Sequence, residues 1–358
     1  MLRKPYKDNL YYIVCSGIGN NPSATPLLLF AWPNRLGRRS YEAKIMGSSP
    51  IVNTYFLLYK YMRNQYIYST SKIPPHILSP PMNKIAFLFL IYDAINHEHL
   101  WFNFFNGIAK TKYNIYIHYK TDDNLEFFND YKINKSKTID TRYADISIVK
   151  AQNVLLREAL KDKDNKHFIF LSGSCIPLKS FKHIYNYLDP RYSYFHIAGS
   201  DDCFPDCEVA LKYIPKEHIK KSAQWSILNR KHAELLVAKA SDYLVWFKDT
   251  YAPDELCYIS YLSYFYNNSL YKEIIATSYN SPPEVATTFA NWEDMNYKYV
   301  SDRELKNYKS ISEEELEHLL KSPCLFGRKF KPSCYYSLNK RFYYDAIRGS
   351  GSGSGDSK

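Results

Sequence analysis

Lys84–Tyr92 reads KIAFLFLIY, a single lysine followed by an unbroken apolar run. Such a run has no polar face, so it belongs to a strand covered on both sides, as in a parallel sheet between layers of helices. Further along, Tyr113–Tyr119 (YNIYIHY) reads as a second strand and His167–Ser172 (HFIFLS) as a third. Between them, Ser147–Leu160 (SIVKAQNVLLREAL) sets Ile148, Ala151, Leu155 and Ala159 on one helical face. The polar run Lys161–Lys166 closes that helix, and Phe181–Leu188 predicts a short helix ended before Pro190. This alternation predicts an α/β fold with a mostly parallel central sheet flanked by helices. No internal repeat is evident.

The chain changes character at Pro80-Pro81-Met82. Before it, residues 1–81 hold no sustained period-2 or period-3.6 pattern and are broken by Gly17–Pro22 and Ile73-Pro74-Pro75. They are expected to be an extension outside the catalytic fold, with Met82 a plausible start. Residues 82–347 are expected to form one folded domain. Residues 348–358 are a flexible Gly/Ser tail.

With 358 residues, 46% of them hydrophobic, the chain can bury a sizeable core. The formal net charge of +11 suits an anionic partner such as a membrane surface, a nucleic acid or a nucleotide-sugar diphosphate. The lysines and arginines are scattered, and no zinc-finger or RNP signature accompanies them, so nucleic acid is not an expected partner. Seven cysteines at irregular spacing argue against a disulfide framework. Cys203 and Cys207 lie near Asp201, Asp202 and Asp206, but no second pair at zinc spacing follows, so no metal is expected there. No stretch approaches the roughly 20 apolar residues of a membrane span. Pro26–Trp32 is too short and lacks the flanks of a cleaved signal. A cytoplasmic setting is the expectation.

Ligands of such sheets sit beyond the carboxyl ends of the strands. Those ends are Ile91-Tyr92-Asp93, His118-Tyr119-Lys120 and Ser172-Gly173-Ser174-Cys175. Gly173 would let the backbone approach a ligand closely. There is no GxGxxG and no Walker loop.

Five blocks then occur in a fixed order: Tyr143–Gln152 (YADISIVKAQ), Phe168–Leu178 (FIFLSGSCIPL), Ser222–His232 (SAQWSILNRKH), Ala252–Glu255 (APDE) and Ser322–Phe330 (SPCLFGRKF). In these the chain resembles the core-2/I-branching β-1,6-N-acetylglucosaminyltransferase family and its plant and viral relatives, from Met82 to about Tyr335. The resemblance implies a glycosyltransferase domain of GT-A-type fold over residues 82–347, with 82–190 its nucleotide-sugar half and 191–347 its acceptor and catalytic half. It further implies a UDP-sugar donor, a glycan or glycoprotein acceptor, and inversion at the anomeric carbon. It also implies no divalent metal, since the turn Ser172–Cys175 carries no carboxylate where other GT-A enzymes have Asp-x-Asp. The charge of the leaving diphosphate must then be balanced by fixed Lys or Arg.

The resemblance assigns Glu255 as the base that takes the acceptor proton. Pro253 suits a first helical turn, where acids are favoured, so Asp254 is expected to serve as a helix-start residue. Lys329 matches the family's phosphate-facing lysine, with Arg328 as an assisting neighbour or an outward-pointing one. The family's second cation falls by spacing on Lys306, with Lys309 as a rival. His118, Asp122, Tyr143, Ser147, Ser172 and Gly173 match positions near the nucleotide. For His118 a structural role is equally open, and for Tyr143 the alternative is packing at a helix start. Trp225 is either a platform under an acceptor sugar or a core residue. Acceptor specificity is expected in loops such as Gly199–Lys220. The animal members are anchored in the Golgi by an N-terminal membrane helix, and no such anchoring is expected for this chain. The alternative to an enzyme is a catalytically inactive module that binds a nucleotide sugar or glycan.

Overall fold

The computed structural model describes residues 83–123, 125–198, 207–278, 286–292 and 305–349, and the backbone of three strands nearer the N-terminus. The chain forms two compact units, Met1–Pro80 and Pro81–Lys358. In the first, β1 (Tyr11–Val14), β2 (Leu28–Pro33) and β3 (Arg39–Ala43) form an antiparallel sheet in that order. These strands are short and were not announced by any sustained alternation. The expectations for the rest of residues 1–81, for Cys203 and its neighbouring aspartates, for residues 199–206 of the acceptor loop and for residues 350–358 lie outside the described residues.

The second unit opens with β4 (Lys84–Ile91), α1 (Glu98–Phe105), β5 (Tyr113–Tyr119), α2 (Ile146–Leu160) and β6 (Asn165–Ser172). Next come β7 (Ile176–Pro177), α3 (Phe181–Tyr187), β8 (Ser193–Ile197), β9 (Ile227–Asn229), α4 (Arg230–Ala238) and α5 (Ala240–Trp246). The unit ends with α6 (Cys257–Tyr266), β10 (Ile274–Ser278), β11 (Thr288–Ala290), α7 (Glu313–Lys321), β12 (Phe326–Arg328) and α8 (Arg341–Arg348).

The central sheet has six strands in the order β10-β8-β9-β6-β4-β5. β4 pairs in parallel with β5 and β6, β8 pairs in parallel with β10, and β9 alone runs against its neighbours. The architecture is therefore α/β with a mainly parallel sheet flanked by helices, as the apolar run of β4 predicts. Successive side chains of a strand point to opposite faces. Ile85, Phe87, Phe89 and Ile91 thus pack with Trp101, Phe104, Phe105 and Phe181 from α1 and α3. Ala86 and Leu88 turn the other way, against Val149, Leu155, Ala159 and residues of α4 and α6. Each fully buried Phe or Leu contributes about 1.5–3 kcal/mol, so the centre of the sheet is where the fold is held. A smaller sheet, β11-β12-β7, shares a third core with α7 and α8.

The turn after β6 is held by contact with the chain itself. A Cβ on Gly173 would lie 2.2 Å from the Ala94 carbonyl oxygen. The Gly173 carbonyl in turn accepts the Asn96 N–H at 2.7 Å. The close approach that this glycine allows in the structure is to the β4–α1 loop. Gly173→Ala should destabilise the protein by about 2–3 kcal/mol, because the atom it meets is backbone and cannot rotate away. Urea unfolding of the two proteins measures this.

Candidate active site

Parallel pairing brings the carboxyl ends of β4, β5 and β6 to one edge, where Leu90 stands opposite Ser172 and Ile91 opposite Tyr119. β8 ends at the same edge, since β9 runs against both β6 and β8. Two segments cross this edge. Residues 328–331 are the first: the Phe330 N–H donates to the Ser174 carbonyl at 3.0 Å, and the Phe330 carbonyl accepts from Asn96 Nδ2 at 2.7 Å. Residues 221–223 are the second: Ala198 N–H donates to the Lys221 carbonyl at 2.9 Å, and Ser222 N–H donates to the Glu255 carbonyl at 2.8 Å. Ile197, the last residue of β8, bridges to Ser222. Glu255 and Arg328 thereby come to the same edge although 73 positions separate them in sequence (328 minus 255).

Glu255 closes a short 3-10 turn, Pro253–Glu255, ahead of α6. Its carboxylate stands 3.3 Å from Lys221 Nζ, with about a quarter of each side chain exposed (25% and 28%). Burial raises the pKa of Glu255, while Lys221 and then Arg328 oppose the rise. Asp254 is pushed up to about 7, first by burial and then by the charge of Glu255. Its Oδ1 is buried and has no hydrogen-bond partner. Neither the 3-10 turn nor α6 has a side-chain cap. Asp254 therefore does not have the capping role expected for it.

Arg328 is half-buried, and its guanidinium lies 4.5 Å from the centre of the Trp225 ring. Burial lowers its pKa, and the nearby Cys175, Glu255, Asp254 and Tyr143 oppose that. An arginine stays charged under such burial because its intrinsic basicity is very high. The charge Arg328 meets is that of the two carboxyls, so it points into the site. Lys329 is half-buried beside it, with its pKa lowered by burial and then by Arg328 and Lys331.

Tyr143 is 90% exposed and Tyr251 57%. The pKa of Tyr143 is raised first by a hydrogen bond to Tyr251, then by the charge and burial around it, with Glu255 and Asp254 adding to the effect. The pair therefore stands at the open side of the carboxyls. Each tyrosine precedes an alanine in the left-handed region, Ala144 at φ 52° and Ala252 at φ 48°. The two alanines are joined, Ala252 N–H to the Ala144 carbonyl at 3.3 Å. Non-glycine residues in that region carry strain of about 1–3 kcal/mol each, and such strain gathers at functional sites.

The other residues singled out from the sequence lie elsewhere or are already engaged. His118 is fully buried on β5 with Nε2 accepting the Ile139 N–H at 2.8 Å, so it is a structural histidine closed off from ligand. Burial and then Lys135 lower its pKa to about 4, so it is neutral. Ser147 Oγ accepts the Arg142 N–H at 2.9 Å, and its own N–H donates to Asp145 at the start of α2. Asp122 is ion-paired to Lys132 at 3.1 Å. Ser172 Oγ lies 3.0 Å from Ser174 Oγ and 3.2 Å from Cys175 Sγ. Trp225 is 8% exposed with Arg328 on its face, so it is a core residue and no platform for a sugar. Lys306 lies 3.5 Å from Glu315 and over the Tyr308 ring. Lys221, Tyr251 and the electrostatic role of Asp254 were missed. Tyr251 could have been found from its place two residues before the Pro-Asp-Glu turn.

Comparison with known proteins covers the first four of the five sequence blocks, and Ser322–Phe330 lies beyond the matched residues. Residues 85–320, well over half of the chain, match the family model of the Core-2/I-Branching enzyme. The chain belongs to the core-2/I-branching enzyme family, a family of glycosyltransferases. Among curated proteins, Glycosyltransferase BC10 of Oryza sativa subsp. japonica is 33% identical over 173 residues, 44% of this chain and 41% of that protein. The chain thus matches less than half the length of this relative. A solved galactosyltransferase, LgtC, in complex with donor and acceptor sugar analogues, overlaps 74% of this chain and 96% of its own at 11% identity and a TM-score of 0.35. An overlap that slight carries no weight for the fold, which rests on the strand order itself. No helix among the described residues is long and apolar enough to cross a membrane.

The Asp254 carboxyl links stability to pH. Its pKa in the folded protein, about 7, lies above the ordinary 3.8, so the folded state holds the proton more tightly than the unfolded one. That stabilisation is complete below about pH 4 and is lost progressively as pH rises to about 7. Asp254→Asn should therefore be more stable than the parent at pH 8, by about 2–4 kcal/mol, and the gap should close towards pH 4. Chemical denaturation at both pH values checks it.

Proposed function

We propose that this chain is an inverting, metal-independent glycosyltransferase that moves a sugar from a UDP donor to a hydroxyl of a glycan or glycoprotein, with Glu255 as base. N-acetylglucosamine is the sugar favoured by the family, with xylose the other candidate. The observation that carries the reading is a Glu255 carboxylate, about a quarter exposed, at the carboxyl edge of the sheet within electrostatic reach of Arg328. The acceptor hydroxyl gives its proton to a Glu255 carboxylate oxygen. The acceptor oxygen bonds to the anomeric carbon from the face opposite the leaving group. The bond from that carbon to the diphosphate oxygen breaks, and its electron pair leaves with UDP. The configuration inverts.

Charge balance on the leaving diphosphate falls to Arg328 and Lys329 in this reading. Arg328 supplies a planar fork suited to phosphate oxygens and Lys329 a point charge. It supports the reading that the segment carrying both abuts the carboxylate-free turn Ser172–Cys175 through the Phe330–Ser174 hydrogen bond. Lys306, engaged with Glu315, is replaced by Arg328 as the second cation. Tyr143, exposed at the mouth, packs against the nucleotide.

Glu255→Gln should lower transfer from UDP-N-acetylglucosamine or UDP-xylose by about 10²–10⁴-fold. UDP affinity by calorimetry should be unchanged, and excess EDTA should leave wild-type transfer intact. Strict dependence on manganese overturns the metal-free mechanism, and UDP binding without transfer to any of a broad acceptor panel makes the chain a binding module. Lys329→Ala should weaken UDP binding by about tenfold or more, as expected for loss of a charged hydrogen bond to phosphate. Unchanged UDP affinity in that variant removes Lys329 from the donor site.

A further inference from the structure

We propose that Lys221 is a positioning residue for Glu255: its ammonium, fixed against the Glu255 carboxylate by the backbone that ties the two segments together, makes Glu255 rather than Asp254 the ionised member of this carboxyl pair. The inference rests on the reading of Glu255 as base and names what keeps it available.

The geometry leaves Lys221 little freedom. Its carbonyl is bound by Ala198, and the next residue donates to the Glu255 carbonyl at 2.8 Å. The following residue, Ala223, donates to the His196 carbonyl at 2.8 Å. With both backbones anchored, the 3.3 Å contact between ammonium and carboxylate is a short-range one between two side chains mostly withdrawn from water. Partly buried pairs of this kind are screened far less than surface pairs.

Two carboxyls adjacent in sequence and mostly buried do not both ionise cheaply. The groups facing them decide which one keeps the proton. Glu255 faces Lys221, Arg328, Asp254 and the Tyr143 hydroxyl. Arg328 acts on both carboxyls. Lys221 acts on Asp254 only at a distance but is hydrogen-bonded to Glu255. The Asp254 Oδ1 atom is buried without a hydrogen-bond donor, an environment that suits a protonated acid and penalises an anion. The proton therefore resides on Asp254, and Glu255 is left as the anion that can accept one from a substrate.

The test follows the carboxyl directly, with or without catalysis. Protein labelled with ¹³C at the glutamate side-chain carboxyl is titrated from about pH 4 to about pH 9, and Glu255→Gln identifies the signal of Glu255. Lys221→Met should raise the midpoint of that signal by about one to three pH units. Lys221→Arg should return it close to the wild-type value. The acid limb of the transfer profile should move to higher pH by the same amount, with transfer recovered above the new midpoint and UDP affinity unchanged. If Lys221→Met does not fold by circular dichroism, Lys221→Gln serves in its place. An unmoved midpoint in a folded variant overturns the inference, while transfer by the wild type leaves the proposed function standing. A midpoint raised by Lys221→Met while the wild type transfers no sugar upholds the effect of Lys221 on Glu255 and overturns the proposed function.

Discussion

Phe330 is bound on both sides of its peptide, through its N–H to the turn after β6 and through its carbonyl to Asn96 in the loop after β4. The His97 ring binds the next carbonyl, that of Lys331, at 3.0 Å. These bonds stitch a segment from near the end of the chain across the carboxyl ends of the first strands of the catalytic unit. Strand ends in an open α/β sheet leave a crevice, and here a strap bearing Arg328 and Lys329 spans it. Without the strap the edge would keep the carboxyls, the tyrosines and Lys221 but lose Arg328 and Lys329. The small sheet β11-β12-β7 and the third core beneath it hold the strap in register.

The site itself is a balance of charge in a half-buried setting. Arg328 lies between the indole of Trp225 on one side and the carboxyls of the Pro253–Glu255 turn on the other. A guanidinium over an indole gains about 0.5–2 kcal/mol and is fixed in plane by the contact. Trp225 thus orients the cation from beneath, a more indirect part than cradling a sugar. Cys175 is buried nearby, and burial raises the pKa of its thiol.

Much of the frame was legible in the residues. β4, β5, β6 and α2 announced themselves because their apolar runs and helical periodicity are long enough to be unambiguous. The strands of three residues, β9, β11 and β12, carry no such period, and their pairing depends on partners far away in sequence. At the site, the Pro-Asp-Glu turn and the Gly-Arg-Lys stretch stood out through family resemblance. The roles of individual polar residues did not, because burial is a property of the fold. For His118 and Trp225 the sequence left a structural role open beside a ligand contact, and their burial in the fold favours the structural one. Lys221 follows Lys220 and precedes Ser222, and nothing in that spacing tells which lysine meets a carboxylate 34 positions later (255 minus 221).

Ala144 and Ala252 stand in a backbone region where glycine would be at ease, and they bind each other there. Glycines in their place would relieve the crowding at each Cβ but open many other conformations to both turns. Because the alanines have few alternatives, the start of α2 and the Pro253–Glu255 turn behave as one mechanical piece. Tyr143 and Glu255 are thereby linked through a backbone contact that bypasses the sheet.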